Sequence, residues 1–286
     1  MNPPTPKGQH TVSKMLLKRF TNEDGKLFFF VKAFPEKGVL VTTPEKLFRQ
    51  THIYTARRED GTLDVSLENY YARLESLAEP IVEKIVTSAR AGERPHLTPD
   101  ERQIWDLFFL NQWKRVPDFH ETIVVPEDIE TRIKRLSADF EANIRPLNSA
   151  EESNLRDPQS RERIMRNAMI HALARPSPRI LTVLKKKGLV IAVIRKPNKS
   201  LAIGSFPVVK LTFPGRENLE DPSVEAWLPI AHDVAVSPAP IPPQEEALCP
   251  MQDDSMIRRL NVATCNKSST IAGKSKLLIA SLSQSR

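Results

Sequence analysis

Twenty-four prolines against nine glycines constrain this 286-residue chain more than any other feature. Proline fixes φ, removes a backbone donor and stops helices, so the chain should fold as many short elements joined by stiff connections. Between the prolines, apolar periodicity marks the longer elements. Leu67, Tyr71, Leu74, Ala78, Ile81 and Ile85 recur at alternating spacings of four and three, which predicts a helix from Ser66 to Ala91 with one buried stripe. Pro80 should kink or split it. Thr98-Pro99-Asp100-Glu101 is a capping box with proline at the first helical position. It opens a helix to Val116, ended by Pro117, whose Ile104, Trp105, Leu107, Phe108, Phe109 and Leu110 call for burial on most sides.

Shorter elements fill the rest. Residues 1–9 read as a disordered lead. Ser13 caps a helix over Lys14–Phe20, and Lys26–Phe34 and Gly38–Thr43 form a hairpin around Pro35–Gly38. Pro44–Phe48 is a single helical turn. Further helices are expected over Pro126–Arg145, Gln159–Arg175 and Pro178–Lys187, the last capped by Gly188. Strands follow at Leu189–Arg195, Leu201–Ser205, Val208–Thr212, Val224–Leu228 and Asp233–Val236, antiparallel because their connections are short. Residues 237–250 read as a Pro-rich linker. A helix over Gln252–Cys265 and a short strand, Leu277–Ala280, close the chain. The fold class is α+β: an N-terminal β-hairpin, a central helical bundle (66–187) and a small C-terminal antiparallel sheet (189–236), with 10–236 as one domain.

Charge and cysteine limit the function classes. The net charge of +7 is uneven: residues 1–20 carry +4 and residues 253–286 carry +4, leaving −1 for the body. Basic ends can hold nucleic-acid phosphates without sequence specificity, so residues 1–20 and 253–286 are the candidate nucleic-acid contacts. The longest apolar runs are strand-sized, and the first residues lack a signal-peptide pattern, so a cytoplasmic, non-membrane protein is expected. Cys249 and Cys265 lack CxxC spacing and read as free thiols. No G-x-G-x-x-G, G-x-x-x-x-G-K or G-x-S-x-G pattern occurs, which disfavours dinucleotide, nucleoside-triphosphate and α/β-hydrolase chemistry. No HExxH-like motif supports a metal, and no cofactor is expected.

The segment QHTVSKMLLKRFT, Gln9–Thr21, resembles the opening of the bacterial domain-of-unknown-function family 4238, which begins Gln-His and continues to Leu-x-x-Phe. Four further stretches resemble it in order: Ser66–Ser76 with Glu68 and Glu75, LTPDERQIWDLFFLNQWKRVPDF with Gln112 and Arg115, IGSFPVV at Ile203–Val209, and WLPIAHDVAVSP at Trp227–Pro238. Together they span about residues 9 to 280. The family's turn usually has an acid where this chain has Ser205, within Gly204-Ser205-Phe206-Pro207. The resemblance implies no reaction, substrate or cofactor.

The candidate site residues follow from these motifs. Gln112 and Arg115 share a side of one apolar helix, and Glu68 and Glu75 share a face of another. A guanidinium in that setting needs a carboxylate or carbonyls, so an Arg115–Glu75 bridge is the simplest solution; a polar pocket for an anion or a carbonyl is the functional alternative. His10 and the pair His232-Asp233 are acid–base candidates, and a helix that returns to the sheet would bring His10 near Gly204–Pro207. Asp118–Glu121 reads as a solvated loop. Two functions remain open. One is a non-enzymatic or accessory binding protein, with nucleic acid as a partner through the ends. The other is a hydrolase or nuclease built from His10, Gln112, Arg115, His232 and Asp233.

Overall fold

The computed structural model describes residues 8–58, 60–116, 129–212 and 218–284. The fold is α+β. Strand β1 (Gly8–His10) leads into a short helix α1 (Lys14–Leu17), then the hairpin β2 (Leu27–Val31) and β3 (Leu40–Thr42). Strand β4 (Arg49–Thr51) returns to pair antiparallel with β1, and β5 (Ala56–Arg57) pairs with β6 (Leu63–Asp64). Helices α2 (Ser66–Ala91) and α3 (Pro99–Lys114) pack together, followed by α4 (Ile129–Asn143), α5 (Ser149–Arg156), α6 (Pro158–Ala174) and α7 (Pro178–Lys185). The remaining elements are β7 (Gly188–Val193), β8 (Ile203–Gly204), β9 (Val209–Leu211), β10 (Glu225–Ala231), β11 (Val234–Ala239), β12 (Glu246–Pro250), α8 (Asp254–Lys267), β13 (Thr270–Gly273) and α9 (Lys276–Gln284).

The main core joins α1, α2 and α3 to a five-stranded sheet of order β12-β7-β11-β10-β9. Ala78, Ile81 and Ile85 of α2 and Trp105, Phe108 and Phe109 of α3 are buried with Ile191, Leu228, Val234 and Val236 of the sheet. Both caps expected for α3 are present: the Thr98 hydroxyl accepts from the Glu101 amide and the Glu101 carboxylate accepts from the Thr98 amide. Helix α2 has the expected bounds but is not split at Pro80. The carbonyl that Pro80 leaves unpaired belongs to Ser76, and both residues are exposed, so water can take that bond.

Several expectations need correction. Residues 237–250 are not a linker: they carry the end of β11 and all of β12, and β12 runs parallel to β7. The prolines are tolerated because the ladder does not need their missing donors. Pro238 faces Leu189, whose amide turns the other way to the Glu245 carbonyl, so this pair lacks ladder bonds. Gly188 does not cap α7, whose cap is Lys186; it opens β7, where a Cβ would lie 2.5 Å from the Pro242 carbonyl oxygen. Only glycine allows the chain to pass that closely.

The segment Leu201–Ser205 contributes only β8, and β8 belongs to a second sheet of order β3-β2-β13-β8. That sheet joins the N-terminal hairpin to the C-terminal segment through β13, so the last residues are part of the fold. Leu277–Ala280 is helical, within α9, where Ser275 accepts the Leu278 amide as a cap. Gly8 and Gln9, expected in a disordered lead, lie in β1, and Gln9 is buried. Residues 1–7, Pro117 and Asp118–Glu121 lie outside the described residues. No helix among the described residues is long and apolar enough to cross a membrane.

Candidate functional site

Strand β1 sends Gln9 to α2, and the residues just after it, Thr11 and Ser13, meet α3. Gln9 is fixed three ways: its carbonyl oxygen accepts the Tyr54 amide at 2.7 Å, and its amide donates to Thr55 Oγ1 at 2.8 Å and to the Glu68 carboxylate. Arg115, at the end of α3, has 2 % exposure and pairs with Glu75 at 2.7 Å, as expected. Its Nε donates to the Thr11 carbonyl at 3.0 Å, and the Tyr71 ring lies 5.2 Å from the guanidinium carbon. Tyr54 donates its hydroxyl to the Arg115 carbonyl at 3.0 Å. One turn earlier on α3, Gln112 accepts the Ser13 amide. The N-terminal segment is thus bound to both helices through one polar centre that contains Glu68, Glu75, Gln112 and Arg115.

The centre is not fully satisfied. Arg115 Nη2, Gln112 Nε2, Tyr71 Oη and Ser13 Oγ are buried with no hydrogen-bond partner among the described residues. Burial raises the Tyr54 and Tyr71 hydroxyls and the Glu68 carboxyl above their ordinary values, the last against the Gln9 bond. His10 borders the centre. Its Nε2 lies 3.1 Å from the Pro44 carbonyl, and burial lowers its pKa despite that bond and the nearby Glu75.

The other sequence candidates have different partners. His232 and Asp233 form the β10–β11 turn. Arg90, at the end of α2, makes two bonds of 2.8 Å to the Asp233 carboxylate, and the His232 amide donates to the Arg19 carbonyl just after α1. The His232 Nδ1 to Asp233 Oδ1 separation is 3.6 Å, outside hydrogen-bond range. Burial lowers the His232 pKa; it would raise that of Asp233, but the Arg90 bonds, together with the Arg90 and His232 charges, hold the carboxyl below its ordinary value.

So α1 and the turn after it return to the sheet, where the Arg19 carbonyl meets the His232 amide. Gly204 packs against Ser268 so closely that a Cβ would lie 2.0 Å from its hydroxyl. Ser205 Oγ accepts the Ser269 and Thr270 amides at 3.0 and 3.2 Å, and Phe206, before Pro207, donates its amide to Ser268 Oγ. The turn that carries Ser205 is a hydroxyl clamp on β13.

An open cavity of about 580 Å³ lies beside the buried centre. His52, Thr55, Arg57 and Leu63 line one side, and the start of α6, with Asp157, Ser160, Glu162, Arg163 and Arg166, lines the other. Asn167 holds the Arg57 backbone in place, accepting its amide at 3.1 Å and donating to its carbonyl at 2.8 Å. Arg166 donates to the carbonyl of His52, a residue held at φ 54°. Thr55 is common to both regions, as the partner of Gln9 and as part of the cavity wall.

Sequence reasoning missed the cavity residues because they sit in two-residue strands, in the turn before them and at the start of one helix, where no periodicity speaks. Gln9 did carry a signal, in the Gln-His pair. Among the described residues no group of three or more His, Cys, Asp or Glu could hold a metal ion. Neither a curated protein nor a solved structure matches the chain. A family model described as Protein of unknown function (DUF4238) matches residues 8–205, which takes in Gln9, His10, Glu68, Glu75, Gln112, Arg115 and the whole cavity, while the Trp227–Pro238 stretch lies beyond it. With more than half its length matched, the chain belongs to the DUF4238 family.

Proposed function

We propose that this chain is a non-enzymatic binding protein that takes a small polar ligand in the cavity between His52–Arg57 and the start of α6. One observation carries the reading. The cavity-lining Thr55 and its neighbour Tyr54 are tied by Gln9 and Arg115 to the buried centre, so the family-matched polar residues brace a recognition surface. Preorganisation of that kind lowers the entropic cost of binding. A volume of about 580 Å³ suits a small-molecule ligand.

The hydrolase or nuclease alternative needs His10, Gln112, Arg115, His232 and Asp233 around one reacting atom. Pro44 occupies His10 and Arg90 occupies Asp233, which favours binding over acid–base chemistry. A nucleic-acid partner held by the ends would have to use a C-terminal segment that is folded into the second sheet. The test is calorimetric titration of the whole protein with small anions, cations and neutral polyols, beside a Ser160→Trp variant that fills the cavity. Binding to the parent that Ser160→Trp loses supports the reading. Binding that survives in Ser160→Trp, or none to the parent, overturns it.

A further inference from the structure

Resting on that reading, we infer that the ligand carries a phosphate monoester, gripped by Arg57 and Arg163 with Arg166 at the rim. The side chains of Arg57 and Arg163 make no hydrogen bond or ion pair with other described residues, although both line the cavity and Asn167 fixes the Arg57 backbone beside α6. Arg163 acts on the Asp157 carboxyl through charge alone, and a guanidinium that bonds no carboxylate beside a cavity retains its full set of donors for an oxyanion. Of the two lining carboxylates, Asp157 is already engaged as the cap of α6, accepting the Ser160 amide at 2.8 Å. Both carboxylates keep their charge, so the lining sets Asp157 and Glu162 against three guanidinium groups, at the positive end of a 17-residue helix.

The number of forks selects the anion. A carboxylate is matched by one bidentate guanidinium, whereas the three oxygens of a phosphate monoester can engage two or three. The cavity is far larger than inorganic phosphate, so an organic body fills the remainder, against Leu63 and the Thr55 and Ser160 side chains. A nucleic-acid backbone shares the phosphate chemistry, but the mixed lining, two carboxylates against three arginines, and the concave shape suit a single small ligand.

The experiment titrates the full chain with inorganic phosphate, adenosine 5′-monophosphate and ribose 5-phosphate. Adenosine, ribose, succinate and a 12-nucleotide RNA serve as the controls. At least one monoester is expected to bind, and its dephosphorylated counterpart to bind about tenfold or more weakly, the worth of one or two charge-assisted hydrogen bonds. Arg57→Gln and Arg163→Gln should each weaken the monoester by about tenfold, and Glu162→Gln should tighten it by removing the competing carboxylate.

Equal binding of the phosphorylated and dephosphorylated forms overturns the phosphate assignment, as does tighter binding of succinate or of the RNA. Cavity-dependent binding of adenosine or ribose alone would leave the binding reading intact and remove this one. If nothing binds, both fall. Should either arginine variant fail to fold, the Glu162→Gln variant still decides, since unchanged or weaker monoester binding would count against the assignment.

Discussion

The buried centre and the open cavity are built from the same residue types, and they use them in opposite ways. In the centre, Arg115 is itself out of water, spends its Nε on Thr11 and its Nη1 on Glu75, and lies over Tyr71. In the cavity, Arg57 and Arg163 spend no side-chain donor on another described residue. Burial makes the difference. A buried guanidinium has to be paired or the fold fails, whereas an exposed one can wait for a ligand at little cost. Residue type alone therefore does not mark a ligand site; commitment of the donors does. The contrast breaks into measurable pieces, beginning with the largest.

Arg115→Ala should be the most damaging single substitution. It strands Glu75 and the Thr11 carbonyl together, and breaking a buried pair in this way costs about 3–5 kcal/mol. The lower end is expected because 26 % of the Glu75 side chain is exposed and can turn toward water. Urea denaturation gives the comparison directly. An unfolding midpoint close to the parent's would mean that the centre is not what holds β1 to α2 and α3.

Gln9→Ala ranks second and links the two regions. It leaves the buried Tyr54 amide unpaired, at a cost of about 1–3 kcal/mol, and releases Thr55 from its partner. Amide exchange over residues 52–57 should speed up relative to that over α2. Unchanged exchange there would separate the cavity wall from the centre.

These two residues also show what was legible. Arg115 and its bridge to Glu75 could be read from a polar residue on an apolar helix, because burial makes pairing obligatory. Helices α2 and α3 were legible for the same reason, through long periodicity and a capping box. Gln9 lay in a three-residue strand, too short to show a period, and was read as part of a disordered lead. The end of the strand at 234–239 and the whole strand at 246–250 were hidden by their own prolines, which look like breakers until the ladder shows which amides it leaves unused. The pairing of β13 with β2 joins residues more than 230 positions apart. No local pattern reports such a contact. The cavity was illegible because exposed arginines on a helix face look the same with or without a ligand.

Acid should act on the centre through His10. Its folded-state pKa lies below the ordinary value of about 6.5 because burial disfavours the charged ring. As pH falls below about 6.5, the unfolded chain takes up a proton that the folded chain resists, so this part of the stability is present above that pH and is lost toward the folded-state pKa. His10→Gln should therefore lose less stability than the parent between about pH 7 and pH 5. His232, also depressed by burial, is kept in both proteins so that its contribution cancels. Parallel pH curves for the two proteins would show that His10 titrates alike in the folded and unfolded states.

The smallest effect is the sharpest test of the contrast. Arg163→Gln and Arg57→Gln remove guanidinium groups that bond no other described residue, so each should shift stability by no more than about 0.5 kcal/mol, as for ordinary surface changes. Arg163 sits on α6, where Gln is nearly as good a helix former as Arg, so propensity adds little. Arg57 is held through its backbone by Asn167, and Gln keeps that backbone unchanged. Any relief of repulsion among Arg57, Arg163 and Arg166 should show at low salt and fade at high salt, where screening hides it. The measurement is the unfolding midpoint of each variant at low and high ionic strength, without ligand. A loss near that of Arg115→Ala would mean that these guanidinium groups are structural ties, and the two regions would then be one kind of site rather than two.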